Sequence, residues 1–555
     1  MSESTPIPLT LLLLPLIAYA FRMLYLLLFL QQTPSPLAVR ADTIHPVHDA
    51  IHYDITLVPS DTGTHVLAEV QTTWRLRSTE PVEMELDSAM RVVRVLMDGK
   101  ENTRLSRTMY GRSSGEIEVP HQKQAGDSVI TRVRYHGFAH DGLIIQKNQY
   151  GERTIFADNW PDRAHLWLAS QDHPSDKATV AFHVQARIGE QVVANGLLEK
   201  IDTLAYGNVV WNYRMDHPIP VYTMVVGIGR LARTPLAHSS CRTDCVPVTV
   251  WTYPRDSTYA VTGPFRRAAD IVDYFSDLIG PFPYANLAHV ESSTRFGGME
   301  NSTAIFYDEK RYHQRNLGES VVAHETAHQW FGDAVTEADW HHLWLSEGFA
   351  TYLAALWRRH IDGDSAFRST MRAAAATVFD SKDTGRPIID TAATDLLRLL
   401  NSNNYEKGSW VLHQLRGLIG DSAFVAGLRN FYRTYRDRTA LSADFARIMS
   451  QAAGRDIEWY FRQALLQPGY PMLDVSWQYQ GKKLTLDVRQ TQPQQWGVYR
   501  LPTLILLVDK TPVRIAVEQR ESRSVVEGIS RKPKKIEVDP NRWWLLQVKS
   551  VNGER

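Results

Sequence analysis

The sequence predicts a multidomain α+β protein in which two β regions flank a middle region that is largely helical. The chain has 555 residues, enough for several domains with their own cores, and its 44% hydrophobic content is that of a globular protein. Apolar residues alternate with polar ones before residue 240 and again after residue 470, whereas helical periodicity dominates between them. We therefore divide the chain into residues 1–41, 42–240, 241–466 and 467–555.

The first 41 residues predict a signal peptide or a membrane anchor. Residues 9–30 are apolar except for Arg22, which suits either interpretation, and Val39-x-Ala41 is an acceptable cleavage site before Asp42. The first eight residues carry Glu3 and no Lys or Arg, which argues against a signal peptide. We favour cleavage over anchoring and expect export either way, with the folded part periplasmic, secreted or anchored outside the cytoplasm.

The charge balance argues against a nucleic-acid partner, and the cysteine count argues against a structural zinc site. Lys+Arg and Asp+Glu both number 61, so the net charge is +0 and a nucleic-acid partner is not expected. The two cysteines, Cys241 and Cys245, cannot complete a four-cysteine zinc site. In an exported protein we expect them to form a local disulfide.

Period-two runs predict the two β regions. An antiparallel β domain before residue 240 is predicted by Ile51, Tyr53, Ile55 and Leu57, by Val66, Ala68, Val70, Trp74 and Leu76, and by Val129, Val133 and Tyr135. After Gly469-Tyr470-Pro471, a small β-sandwich is predicted by Leu473, Val475, Trp477 and Tyr479 and, beyond a turn, by Leu484, Leu486 and Val488.

The segment His324-Glu325-Thr326-Ala327-His328 predicts half of a zinc site. On a helix, residues four apart share a face, so His324 and His328 can hold one tetrahedral Zn²⁺. Glu325 lies about 60° round the axis from His328, where it can reach a water on the metal and act as general base. Asn316 and Glu319 fit a capping box at the start of this helix, and Gly332 is a plausible stop.

Glu347 is the candidate third ligand. A zinc hydrolase takes three protein ligands and leaves the fourth position to water. Glu347 lies nineteen positions after His328 and opens a second helical run, residues 347–358. We expect one Zn²⁺ per chain.

Gly297-Gly298-Met299-Glu300-Asn301 predicts a ligand-binding edge near the metal. Adjacent glycines let the backbone approach a ligand closely, and a carboxylate beside such an edge can bind a cation. The sequence resembles the aminopeptidase N family of gluzincin metallopeptidases, which includes leukotriene hydrolase. The matching stretches are Gly297 to Asn301, His324 to His328, Trp340 to Tyr352 and Tyr405-Glu406-Lys407-Gly408. The resemblance covers residues 51–546.

The resemblance implies an architecture. Residues 42–240 would be the saddle-shaped N-terminal β domain, residues 241–466 the thermolysin-like α/β catalytic domain, and residues 467–555 the C-terminal β-sandwich. Many relatives continue into a large helical domain that roofs the cavity. This chain ends before it, so the resemblance implies a more open site.

The resemblance also implies roles. Glu300 would hold the free α-amino group of the substrate, and the backbone of the Gly297, Gly298, Met299 and Asn301 segment would pair with the peptide. Tyr405 would stabilise the oxyanion. Thr351 is a candidate support for Glu347, and Ser346 stands where the family commonly has Asn. Asp158 and Asn159 lie where the family has a substrate-contacting segment of the N-terminal domain, so they are candidates for contact with the substrate. The stretch that follows departs from the family at Ala169 and Ser170.

The predicted function is a zinc aminopeptidase acting on peptides with a free N-terminus. Three alternatives remain at this point: a thermolysin-type endopeptidase, an epoxide hydrolase of the leukotriene hydrolase type, and a catalytically inactive peptide-binding module. The setting of Glu300 argues against the endopeptidase. The sequence contains no signal for the oligomeric state or for the preferred first residue of the substrate.

Overall fold

A computed structural model describes residues 35–42, 46–101, 106–110, 114–239 and 245–553. The predicted leader, residues 9–30, and Cys241 lie outside this part of the chain. Cys245 is disulfide-bonded. Within the described ranges, no helix is both long enough and apolar enough to cross a membrane.

The described residues of the N-terminal region form fifteen strands in three sheets. They are β1 (Asp49–Pro59), β2 (His65–Arg75), β3 (Val82–Asp87), β4 (Met90–Met97), β5 (Lys100–Glu101), β6 (Ser106–Tyr110), β7 (Ser114–Val119), β8 (Ser128–Phe138), β9 (Leu143–Lys147), β10 (Arg153–Ala157), β11 (Lys177–Arg187), β12 (Gln191–Ala194), β13 (Leu197–Thr203), β14 (Asn208–Pro220) and β15 (Val226–Gly229). The sheet orders are β13-β14-β11-β1-β2-β8-β4-β5, β12-β15-β10-β9 and β3-β7-β6.

The prediction of an antiparallel region is wrong for one central pair. β1 and β11 run parallel, with Tyr53 opposite Val180, while the other pairs of the eight-stranded sheet are antiparallel. The predicted inward residues of β2 and β8 are buried, as alternation requires. In β1 the register shifts between Ala50 and His52, so Ala50 is buried in place of Ile51.

The middle region combines a five-stranded mixed sheet, a short two-stranded sheet and nine described helices. The strands are β16 (Ala232–Pro235), β17 (Val248–Thr252), β18 (Leu287–Ser292), β19 (Gly298–Met299), β20 (Ala304–Asp308), β21 (Val335–Glu337) and β22 (Arg438–Ala440). The helices are α1 (Ser257–Thr262), α2 (Ala268–Ile279), α3 (Glu309–His313), α4 (Glu319–His328), α5 (Trp344–Asp380), α6 (Gly408–Ile419), α7 (Asp421–Tyr435), α8 (Ser442–Ala453) and α9 (Glu458–Leu466).

This sheet has the order β16-β17-β18-β20-β19 and supports the candidate site at one edge. Every residue of β17 and β18 is buried, the pattern of parallel strands covered on both faces. The edge strand β19 pairs antiparallel with β20 through Gly298 and Met299. Among the residues that the structure describes, one side of β19 is therefore left unpaired, and Glu300 follows directly after this strand.

Residues 472–553 form a four-stranded and a three-stranded sheet. The strands are β23 (Met472–Gln480), β24 (Lys483–Gln490), β25 (Leu501–Val508), β26 (Thr511–Val517), β27 (Glu521–Glu527), β28 (Ile536–Val538) and β29 (Gln547–Gly553). The orders are β27-β24-β23-β29 and β26-β25-β28. The predicted alternation is confirmed in β23 and β24, because Leu473, Val475, Leu484, Leu486 and Val488 are buried.

Residues 35–42, which we call the N-terminal strap, pack against parts of the chain that are remote in sequence. Leu37 is fully buried. Ser35 Oγ donates a hydrogen bond to Glu458 Oε1 on α9 at 2.7 Å. The start of the described chain is therefore held at the end of the helical middle region, and cleavage at the site predicted before Asp42 would remove these contacts of Ser35 and Leu37.

Asp42 ends the strap and joins the N-terminal region to the middle region. Its backbone N–H donates to Asp339 Oδ2 at 3.0 Å, and its own carboxylate accepts from the backbone N–H of Trp340 at 2.8 Å. From the N-terminal region, His173 Nε2 donates to the same carboxylate at 3.1 Å. His341 Nδ1 lies 3.2 Å from Asp42 Oδ1.

Candidate active site

The helix α4 brings the two predicted histidine ligands together. His324 and His328 lie one turn apart, and their Nε2 atoms are separated by 3.1 Å. From the first turn of α5, Glu347 places Oε2 at 3.1 Å from His324 Nε2 and 3.4 Å from His328 Nε2. Three donor atoms from two helices therefore converge on one point.

The ends of these helices differ from the prediction. Helix α4 begins after Gly318 without a side-chain cap, so the capping box of Asn316 and Glu319 is wrong. The Glu319 carboxylate instead accepts from Arg267 and Trp357. Helix α4 ends at His328, four residues before Gly332.

Helix α5 starts at Trp344 rather than at Glu347. It extends to Asp380, with a non-helical break at Gly363, well beyond the predicted end at residue 358.

Gly332 shapes the turn behind the histidines. Its φ is 130°, a conformation that side-chain-bearing residues rarely adopt. A Cβ at this position would lie 2.6 Å from Ser346 Oγ and 3.0 Å from His328 Nδ1. The glycine therefore lets the chain pass close to a ligand ring.

The hydrogen bonds of His328 fix its tautomer. Its Nδ1 lies 3.2 Å from the carbonyl oxygen of Phe331 and 3.1 Å from Ser346 Oγ. Because a carbonyl only accepts, Nδ1 carries a proton, so in the neutral ring Nε2 has the lone pair that a metal ligand needs. Ser346 thus contributes the kind of support that orients a metal ligand.

The donor set fits a zinc ion. Tetrahedral ligands held at about 2.0–2.1 Å from zinc are separated from one another by about 3.3 Å. The three pairs of atoms from His324, His328 and Glu347 are 3.1, 3.1 and 3.4 Å apart. Two imidazoles and one carboxylate are also a common zinc donor set in hydrolases.

Buried carboxylates make this centre attractive to a cation. Burial raises the pKa of Glu347, but His328 and His324 outweigh it and hold that pKa below its usual range. Burial lowers the pKa of His328, but Glu347, Glu300 and Glu325 overcome it and raise the pKa to about 10. A positive charge, carried by a proton or a metal ion, is therefore favoured here.

Glu325 lies against the backbone of Gly298. A Cβ at residue 298 would collide with the Glu325 carboxylate, so this glycine makes room for it. Glu325 is only 6% exposed, and burial raises its pKa well above the usual value, with His328 acting in the opposite direction. The side chain is poised to take up a proton in the cavity.

Glu300 lies beyond β19 and is 5% exposed. Burial raises its pKa to about 7, partly opposed by His328. Gly297, Gly298, Met299 and Glu300 all line the cavity. Asn301 is fully buried and does not line it.

Tyr405 reaches the centre from a π-helical turn, Asn403–Lys407, that leads into α6. Its hydroxyl donates to Glu347 Oε1 at 2.7 Å. Burial, with Glu347 nearby, raises the pKa of Tyr405 well above its usual value, so the hydroxyl remains a donor. The turn packs beside α5 where Gly348 and Gly408 meet without side chains between them.

The centre opens into a cavity of about 760 Å³ whose walls the sequence predicted only in part. Thr351 lines the cavity, and among the described residues no hydrogen bond joins it to Glu347. The predicted contacts Asp158 and Asn159 are buried, where Asp158 pairs with Arg163. The adjacent Trp160 lines the cavity instead, as do Phe296, Arg311, Arg358 and Leu400, which the sequence analysis did not single out.

Comparison with known proteins shows what the chain is similar to. It is 24% identical over 498 residues to "Probable aminopeptidase 1" of Saccharolobus solfataricus, covering 85% of this chain and 60% of that protein. It is 26% identical over 493 residues to "Probable aminopeptidase 2" of Sulfurisphaera tokodaii, with the same two coverages of 85% and 60%. The chain thus spans about 60% of the length of these relatives.

Solved structures share the fold over most of the chain. An M1 zinc metallopeptidase from Deinococcus radiodurans superposes with a TM-score of 0.65 and 26% identity, covering 76% of this chain and 94% of that one. A variant of that enzyme was solved with the substrate Tyr-Ser-Ala bound, and it matches with a TM-score of 0.65 and 25% identity.

The match to a family domain includes the chemical groups described above. Residues 266–463 match the peptidase family M1 domain, a range that contains Glu300, the His324–Glu347 centre and Tyr405. The aminopeptidase relatives and the M1 zinc metallopeptidase structures agree with this match, so the chain is similar to M1 peptidases and residues 266–463 contain an M1-type domain.

Proposed function

We propose that this protein is a zinc-dependent aminopeptidase that removes the first residue from peptides with a free amino terminus. The observation that carries the proposal is a distance. Ligand atoms of Glu300, Glu325 and His328 all lie within 4.8 Å of one another. A carboxylate so close to the hydrolytic centre leaves room for only one residue between a bound amine and the bond to be cut.

His324, His328 and Glu347 are the residues that would hold the zinc ion. When bound, zinc supplies Lewis acidity, which acidifies a water and polarises the scissile carbonyl group. Glu325 takes up the proton released by the attacking water and passes it to the departing amine. Its raised pKa suits a group that must both accept and return a proton.

Tyr405 and Glu300 provide the other two interactions. The Tyr405 hydroxyl donates a hydrogen bond to the developing oxyanion, and its raised pKa keeps the donor protonated. The Glu300 carboxylate pairs with the substrate ammonium. The free edge of Gly298 and Met299 is available to pair with the peptide backbone, because β19 is hydrogen-bonded on one side only.

Selectivity for a free amino terminus follows from burial. An acetylated terminus brings no positive charge, so it would leave the Glu300 carboxylate desolvated and unpaired. We expect blocked peptides to be turned over at least about 100-fold more slowly than free ones.

The finer architecture and the location are part of the proposal. The three sheets before residue 240 would form the saddle domain, residues 241–466 the thermolysin-like domain, and residues 467–555 the β-sandwich. Export is supported by the apolar run at residues 9–30 and by the disulfide at Cys245, since disulfides persist in oxidising compartments. Cell fractionation with an antibody against residues 245–553 tests the location.

A panel of aminoacyl-arylamides tests the activity. Zinc-loaded protein is assayed with free and N-acetylated substrates, each with and without a chelator. The matched control is Glu325→Gln, which keeps the size of the side chain but removes the base. We expect turnover of free substrates only, loss with chelator, recovery with zinc, and a fall of at least about 1,000-fold in Glu325→Gln.

The outcomes separate the competing functions. Equal cleavage of free and acetylated substrates would contradict the aminopeptidase assignment and favour an endopeptidase. No turnover of any peptide substrate by zinc-loaded protein would favour a binding module. Hydrolysis of an allylic epoxide without peptide hydrolysis would favour the epoxide hydrolase.

A further inference from the structure

Arg311 is a cation on the cavity wall whose guanidinium group has no ion-pair or side-chain hydrogen-bond partner among the described residues, although its charge partly opposes the burial that raises the pKa of Glu325. It lies on α3, is half-buried, and lines the same cavity as Glu300 and Glu325. No ion pair or side-chain hydrogen bond within the described part of the chain involves its guanidinium group. A half-buried guanidinium group without such a partner keeps donors that can bind an anion supplied by a ligand.

The guanidinium group has a defined position. It lies over the α-carbon of Gly297, where a Cβ would come within 2.6 Å of Nη2 and 2.8 Å of Nε and Cζ. The next residue, Gly298, faces the Glu325 carboxylate in the same way. Arg311 therefore stands beside the Gly297 end of the edge segment, and Glu300 stands at its other end.

Two other charged side chains of the cavity wall are already in ion pairs. Arg358, the second arginine on the wall, is 2.8 Å from Asp362. Glu319 is 2.8 Å from Arg267. Arg311 thus differs from the neighbouring arginine in having its donors free, and a planar guanidinium group matches a carboxylate bidentately.

We propose that Arg311 binds a carboxylate on the departing side of the peptide, two or three residues from the amine held by Glu300. The proposal rests on the aminopeptidase function above. Residues 297 and 300 are three positions apart, about 10 Å in an extended chain, and an extended tripeptide has about the same length. The carboxylate is either the C-terminus of a short peptide or an acidic side chain.

Two substrate pairs test the proposal and distinguish these sources. The first pair is Leu-Gly-Gly and its C-terminal amide. The second pair is Leu-Glu-Gly-amide and Leu-Gln-Gly-amide. For each pair we measure the ratio of kcat/KM, charged substrate over neutral substrate, in wild type, in Arg311→Met and in Arg358→Met. Taking ratios within a protein removes any general loss of activity.

We expect the wild-type ratio to exceed unity by about tenfold in at least one pair, and Arg311→Met to bring that ratio close to unity. The pair that responds identifies the source of the carboxylate. Arg358→Met should keep the wild-type ratio. If neither ratio changes in Arg311→Met, the proposal is overturned. If both members of each pair slow equally, Arg311 acts on Glu325 rather than on a carboxylate.

Binding to metal-free protein separates failure of this proposal from failure of the proposed function. Calorimetry on chelator-treated wild type should give a lower Kd for the charged member of the responding pair. In Arg311→Met the preference should fall by about tenfold. A preference that persists in the variant contradicts the role of Arg311 whether or not the zinc-loaded protein hydrolyses peptides.

Discussion

The proposed role of the Tyr405 hydroxyl in stabilising the oxyanion can be tested by a single substitution. Its hydroxyl is already directed at the centre through Glu347, and removing that hydroxyl should leave the ligands in place. We expect Tyr405→Phe to lower kcat by about 100-fold with KM little changed, because the lost hydrogen bond serves the transition state. Steady-state kinetics and zinc content by atomic absorption check this prediction.

The control for this substitution is Tyr274→Phe. The Tyr274 hydroxyl donates to the carbonyl of Leu356 away from the cavity, so its loss should change kcat by less than about threefold. If Tyr405→Phe also keeps kcat within threefold of wild type, an oxyanion role for Tyr405 is ruled out.

Among single residues, the sequence could predict the metal ligands and part of the cavity wall. His324 and His328 follow from helix geometry, which places residues four apart on one face. Glu347 was predicted instead from its distance along the chain after the histidine motif. Arg311 has no such local pattern. It reaches the cavity only because α3 folds over Gly297, which is a tertiary contact. Trp160 was missed for a related reason: its neighbours Asp158 and Asn159 looked more polar but are used to hold the loop.

Among the elements, the turn after α4 controls the orientation of a metal ligand. Gly332 passes beside His328 Nδ1 and Ser346 Oγ. We expect Gly332→Ala to weaken zinc binding by about 10- to 100-fold, because the added methyl group displaces the group that orients the imidazole. Zinc competition with a chromophoric chelator measures the affinity.

Gly385→Ala is the matched control, since a Cβ at that glycine would meet no atom within 4 Å. It should bind zinc like wild type. Thermal melting of the metal-free proteins distinguishes a lower affinity from partial unfolding. Equal zinc affinities for Gly332→Ala and Gly385→Ala would contradict a role of this turn in orienting His328.

The boundaries of helices α4 and α5 were predicted less well than their existence. The residues of α4 have helical spacing, but its first turn is fixed by contacts from outside the segment. Glu319 is engaged by Arg267 and Trp357, so it is not free to cap its own helix. Capping rules use local sequence only and miss such competition.

Across the whole molecule, the N-terminal strap ties separate regions together through Asp42. Burial raises the pKa of Asp42, but hydrogen bonds from His173, His341 and Trp340 outweigh it and lower that pKa below the usual 3.8. Burial lowers the pKa of His341, but Asp339 and Asp42 raise it from 6.5 to about 10. At neutral pH the cluster therefore contains a protonated His341 beside two ionised carboxylates, Asp42 and Asp339.

Asp42→Asn should destabilise the protein by about 2 kcal/mol near pH 6. The histidine contribution is complete below pH 6.5 and disappears as the pH rises to about 10, and the aspartate contribution is lost as the pH falls below 3.8. The difference in Tm between wild type and variant should therefore be largest between about pH 4 and 6.5.

Differential scanning calorimetry across pH 4 to 10 measures this difference. Asp216→Asn is the control, because Asp216 is 75% exposed and its ion pair with Arg214 lies on the surface. Its effect on Tm should be small at every pH. A pH-independent difference for Asp42→Asn would contradict an electrostatic role.

The sequence could predict which faces of the strands are buried, but not which strands pair. Alternation identified the inward faces of β2, β8, β23 and β24, because burial follows period two whatever the partner. It does not specify which distant strand lies alongside. The parallel pairing of β1 with β11 joins segments more than a hundred residues apart, and no local signal encodes it.

The N-terminal strap also sets an order for biogenesis. A ribosome releases residue 35 early, yet the hydrogen-bond partner of Ser35 is Glu458 and the partner of Asp42 is Trp340. The N-terminal strap therefore cannot form these contacts until most of the polypeptide has been synthesised. Nascent chains stalled before residue 458 should leave this end open to added protease, and only release of the full-length product should bring protection.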